Sequence, residues 1–131
     1  MIVADSNVLA YFYIESVHTA AATALHASDP QWAVPPLWRS EFRNILAGYM
    51  RRGTMSIAQA HARVVAAEQF LGQHEYPVDS LSVLQLVDKS PCSAYDCEFV
   101  ALAIKLKTKL VTLDAKVLRA FPKHTVALGA A

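Results

Sequence analysis

The stretch Met1-Ile2-Val3-Ala4-Asp5-Ser6-Asn7-Val8-Leu9 decides how the rest of the chain is read. Met1–Ala4 is an apolar run too short for a helix, and it meets a carboxylate at Asp5. It reads as a buried strand with an acid at its carboxyl end. The arrangement returns near the other terminus, where the apolar strand Leu110–Leu113 is followed by Asp114. Further strands are expected at Trp32–Val34, stopped by Pro35-Pro36, and at Thr125–Leu128, with a possible one at Tyr76–Val78.

Helices fill the intervals. Asn7–Ile14 and the alanine-rich His18–Ser28 come first. Leu37–Arg52 follows, with helical spacing at Trp38, Phe42, Ile45 and Tyr49 and Gly53 as its stop. Ser56, with Gln59 three residues on, opens a helix to about Leu71. Asp79 or Ser80 caps one reaching Lys89, Ser93 caps Ala94–Leu106, and Ala115–Phe121 is a short last helix. Strands alternating with helices predict an α/β fold with a central, mostly parallel sheet of about four to five strands, covered by helices on both faces. With no repeat, linker or low-complexity tract, the 131 residues are read as a single domain, 1–131. In such folds ligands bind beyond the carboxyl ends of the strands.

Composition narrows the classes. Hydrophobic residues make up 54% and charged residues 18%, which suggests a large core, an apolar partner surface, or both. A net charge of +1 is too low for nucleic-acid binding by bulk charge alone, unless acids of a metal site offset a basic rim. Cys92 and Cys97 are too few for a secreted scaffold or a zinc site, and reduced thiols in a cytoplasmic protein are expected. The N-terminus lacks the basic region of a signal peptide, and no apolar run approaches the ~20 residues of a membrane span.

Each acid has a plainer role to set beside a catalytic one. Asp5 and Asp114 suit the N-caps of the helices that follow them. Asp96, three residues after Ser93, suits a capping box, yet it also heads the apolar stripe of Phe99, Val100 and Ala103. Glu41 lies on or beside the apolar stripe of its helix, where a buried ion pair with Arg39, Arg43 or a distant lysine is the alternative. Gathering such carboxylates in a partly desolvated place is unfavourable. A hard divalent cation relieves the repulsion, because Mg²⁺ and Mn²⁺ prefer carboxylate and water oxygens. Mg²⁺ held by acids has one dominant use in enzymes, phosphoryl chemistry.

These residues resemble a family. Val3-Ala4-Asp5-Ser6-Asn7-Val8-Leu9, Ser40-Glu41, Ala94-Tyr95-Asp96-Cys97-Glu98-Phe99-Val100-Ala101-Leu102-Ala103 and Leu110-Val111-Thr112-Leu113-Asp114 follow the order and separations of PIN domains. The chain is similar to VapC-type toxins of toxin–antitoxin pairs over essentially its whole length. The resemblance implies a PIN-like three-layer sandwich and a Mg²⁺-dependent endoribonuclease, with Mn²⁺ as a possible substitute. It places Asp5, Glu41, Asp96 and Asp114 at the acidic metal-binding positions. Ser6 and Asn7 become the polar pair supporting the first aspartate, and Thr112 the hydroxyl before the last acid. It further implies a homodimer and a cognate antitoxin that inserts a segment near the acids.

One departure is visible. Many PIN domains carry a further acid just past the last aspartate, whereas Ala115, Lys116 and Val117 stand here. Glu98 is a poor substitute, since two residues from Asp96 on a helix it should point elsewhere. Lys116 and Arg119 are candidate RNA contacts, as are Arg39 and Arg43, which a solvated helix face would also explain. Trp38, Tyr49, Phe70 and Phe99 are expected in the core, whereas Trp32 and Tyr11-Phe12-Tyr13 fit either the core or a partner groove. The rival reading is a non-catalytic interaction module on a degenerate PIN fold. A phosphoacceptor domain would want adjacent acids at the first strand, and a dehalogenase-like phosphatase an acid at position 7, where Asn7 stands.

Overall fold

The computed structural model describes residues 1–131. β1 (Ile2–Ala4), β2 (Trp32–Ala33), β3 (Leu110–Thr112) and β4 (Thr125–Ala127) form one sheet in the order β2-β1-β3-β4. Every pairing is parallel, with Val3 opposite both Ala33 and Leu110, and Leu110 opposite Thr125. The strands are short and almost wholly apolar, as a sheet covered on both faces requires.

Seven helices flank the sheet: α1 (Ser6–Tyr13), α2 (Thr19–Ser28), α3 (Trp38–Arg51), α4 (Ile57–Leu71), α5 (Ser80–Asp88), α6 (Ala94–Lys105) and α7 (Ala115–Ala120). They pack in two groups. α1 contacts α2, α3 and α4, while α5 packs on α6, which lies against β1 and β3. Val3, Val8, Leu9, Trp32, Trp38, Phe42, Phe99 and Leu110 are among the side chains the core encloses fully. α3 turns Trp38, Phe42 and Leu46 inward at spacings of four and stops where Gly53 adopts a positive φ of 75°. Cys92 and Cys97 are buried and free.

The expected elements are present except one. Tyr76–Val78 adds no strand; only an isolated bridge pairs Val34 with Glu75. Val34 donates its N–H to His74 and accepts from the Tyr76 N–H, but the next rung needs an N–H from residue 36, and Pro36 has none.

Chain order reverses beside β1: the step from β1 leads outward to β2, and the next strand, β3, lies on the other side. Such a reversal opens a crevice at the carboxyl edge of the sheet. Asp5 and Asp114 both follow strands that end there.

Candidate active site

Asp5 is held by backbone register before its side chain is considered. Its N–H donates to the Val111 carbonyl at 3.1 Å, extending the β1–β3 pairing by one residue. That register brings the buried Thr112 hydroxyl to Asp5 Oδ2 at 2.7 Å. Asp5 Oδ1 accepts from the Ser6 N–H at 2.8 Å and so caps α1. Thr112 is a hub, because its oxygen also accepts from the Asn7 amide at 3.2 Å and from the Asp114 N–H at 3.0 Å. Asn7 Oδ1 takes the Leu113 N–H. One hydroxyl thereby couples the ends of β1 and β3.

Glu41 enters from α3. Its partner is the Ser6 hydroxyl, which donates to Oε1 at 2.6 Å. The expected ion pair with Arg39 or Arg43 is not formed; Arg39 reaches instead to Glu68 and Glu75. The supporting pair therefore works differently from expectation. The Ser6 hydroxyl holds Glu41, only its backbone N–H serves Asp5, and Asn7 acts on Asp5 through Thr112.

Asp96 and Asp114 both cap helices. Asp96 completes a capping box with Ser93, and Asp114 Oδ1 accepts from the Lys116 and Val117 N–H groups. Capping leaves one oxygen of each free of those contacts. The plainer reading of these aspartates is thus correct as far as it goes, and it does not use up their coordinating capacity.

Electrostatics show which acids meet. Burial pushes the Asp5 carboxyl up to about 6 from 3.8, and the charges of Glu41 and Asp96 push in the same direction. Glu41 is raised by burial and then by Asp96. No Lys or Arg forms a salt bridge with any of the acids Asp5, Glu41, Asp96 or Asp114. Asp114 stands further off, tied to the group through Thr112; the Cys92 thiol, raised mainly by burial, also feels both Asp96 and Asp114. Glu98 lines a separate recess with Val78, Ser80, Val83 and Leu84; burial, and then the charge of Glu41, raise its pKa.

No three of the acidic, histidine or cysteine side chains converge tightly enough to form a ready cation cage. The donor set nevertheless fits a hard divalent ion: carboxylate oxygens, partly desolvated, mutually repelling and without a basic counter-ion. Asp5, Glu41 and Asp96 would hold it, with Asp114 at the margin.

The PIN domain model matches residues 2–123. The chain belongs to the PIN domain family. PIN domains are generally nucleases and typically use divalent metal ions. Among solved structures, this PIN domain is similar to PAE2754 from Pyrobaculum aerophilum, at 19% identity and a TM-score of 0.78 over 98% of this chain and 90% of that one. It is also similar to FitAcB from Neisseria gonorrhoeae, at 16% identity and a TM-score of 0.75 over 95% of this chain and 96% of that one. At these identities the likeness is one of fold. No curated protein matches the sequence. No helix of this PIN domain is long and apolar enough to cross a membrane.

The basic candidates divide. The Arg39 guanidinium is engaged within the fold: it bridges Glu68 and Glu75 and lies over the Trp38 ring at 5.3 Å. Arg43, Lys116 and Arg119 are exposed. The aromatic run of α1 packs against the core while staying partly exposed: Phe12 meets Trp32 at 5.1 Å and Tyr13 meets Phe42 at 6.0 Å. Trp32 is 1% exposed.

Proposed function

We propose that this PIN domain is a Mg²⁺-dependent endoribonuclease, with Mn²⁺ as a substitute, acting as a VapC-type toxin. The observation that carries the reading is that Ser6 bonds both Asp5 and Glu41 at the carboxyl edge of the sheet, where both are partly desolvated, have no basic partner and feel the charge of Asp96. Folding tolerates such repulsion at a cost, and a bound cation removes the cost. When bound there, the cation polarises a phosphodiester oxygen and lowers the pKa of a water molecule.

The protein's own groups prepare that chemistry. Thr112 and the Ser6 N–H hold the Asp5 carboxylate in one orientation, and the Ser6 hydroxyl does the same for Glu41. At metal sites, hydrogen bonds of this kind behind the ligands fix how the ligands point. Asp5 or Asp96 can accept the proton of the attacking water. Lys116 and Arg119, exposed just past Asp114, are placed to meet phosphates of the RNA, with exposed Arg43 a weaker candidate. Homodimer formation, a cytoplasmic setting and inhibition by a cognate antitoxin complete the proposal, and they rest on the family resemblance.

The rival is a non-catalytic interaction module, favoured by the lack of a preassembled three-acid cage. One assay separates the two. Total RNA incubated with Mg²⁺ should be cut at defined positions, and EDTA, Asp5→Asn or Asp96→Asn should each abolish cutting. RNA left intact by the wild type under these conditions overturns the nuclease reading, and full activity of Asp96→Asn removes that residue from the site.

A further inference from the structure

Beside the acids lies an open cavity of about 470 Å³, most of whose lining has no part in holding a cation. Glu41 and Ser6 are among its lining residues, so it adjoins the candidate active site. Its size falls within the ~300–1,000 Å³ of clefts that hold small organic groups. Leu37 and Ile45 supply apolar wall. Ser40 and Asn44 supply polar groups, both exposed. The remaining wall is Tyr95, whose side chain is 61% exposed although it is aromatic and immediately precedes Asp96.

No lysine or arginine lines the cavity, so it is not built for a phosphate. An exposed ring, an apolar wall and amide or hydroxyl groups within one recess match a nucleobase, which has two apolar faces and a hydrogen-bonding edge. Sequence-specific RNA recognition works on such unstacked bases, stacked on aromatic side chains and read along their edges. Tyr95 and Glu41 line the same cavity, so a base on the ring has its phosphodiester close to the acids.

We propose that this cavity binds the nucleobase next to the cleaved phosphodiester, with Tyr95 as the stacking platform and Asn44 reading the base edge. The proposal rests on the nuclease reading. It makes Tyr95 a specificity-determining residue: the acids set whether RNA is cut, and the cavity sets where.

The test uses a labelled single-stranded RNA that the wild type cuts once, together with versions carrying one abasic nucleotide at each position around the cut. Base–aromatic stacking is worth roughly 5- to 100-fold per base. Tyr95→Ala should lower kcat/KM by about that factor, mainly through KM. Tyr95→Phe should retain activity, and Asn44→Ala should broaden the bases accepted at the cut. One abasic position should cost the wild type a similar factor and cost Tyr95→Ala nothing more. In the Asp96→Asn background, fluorescence anisotropy should show the same loss of RNA affinity on adding Tyr95→Ala.

Wild-type kcat/KM in Tyr95→Ala, or abasic losses that add to it in full, would overturn the base cavity and leave the nuclease reading intact. A wild type that cuts no RNA overturns both. Thermal melting of Tyr95→Ala should match the wild type, as expected for an exposed side chain, so a loss of activity is not a loss of fold.

Discussion

A single buried carboxylate carries much of the argument, and its protonation has a measurable consequence. Unfolded, Asp5 loses its proton near 3.8; folded, it keeps it to about 6. Between those values the unfolded chain binds fewer protons, so this group makes stability fall as pH rises, and above about 6 the penalty is constant. Asp5→Asn keeps the oxygen that caps α1 and removes the charge. In EDTA its melting temperature should therefore gain on the wild type as pH rises from 4 to 6 and then hold its lead. A variant less stable than the wild type at pH 7 in EDTA would show that the hydrogen bond Asp5 accepts from Thr112 outweighs the cost of burying its charge. Thr112 invites a second residue-scale test. Thr112→Val removes the donor to Asp5 and the acceptor for Asn7 and the Asp114 N–H. It should cost about 1–3 kcal/mol in denaturant unfolding and about 10- to 100-fold in cleavage. Thr112→Ser should recover most of both.

Elements meet at this site through pairs distant in sequence. Ser6 and Glu41 join α1 to α3, and Arg39 joins α3 to Glu68 on α4 and to Glu75 beyond it. The Arg39 cluster is partly exposed, so its worth is modest. Arg39→Ala should lower stability by about 1 kcal/mol in urea unfolding. Cleavage kcat should be unchanged, because the guanidinium is occupied away from the acids. A large fall in RNA affinity with stability intact would return Arg39 to the RNA-binding surface. Pro36 shows the opposite influence at this scale: one residue without an N–H ends a strand pairing after a single bridge, and the sheet stays at four strands.

For the whole molecule, a site without a preformed cage implies that the cation and the fold stabilise each other only weakly until substrate arrives. Mg²⁺ at ten times its Kd should add about 1.4 kcal/mol to stability. It should raise the melting temperature by several degrees at pH 7.5. The shift should shrink at pH 5, where protons compete for Asp5, and vanish in Asp5→Asn. An equal shift in that variant would place the cation elsewhere. The order and approximate ends of the strands and helices were legible in the sequence, except over Tyr76–Val78, because capping residues and apolar periodicity act locally. Parallel strands each followed by a helix also put Asp5 and Asp114 on one edge without reference to any contact. The partners were not legible. That Ser6 would hold Glu41 and that Thr112 would join Asp5 across 107 residues depends on how helices and strands lie against one another. Periodicity tells a side chain which face of its own element it is on; only tertiary packing brings it within hydrogen-bonding distance of a particular neighbour.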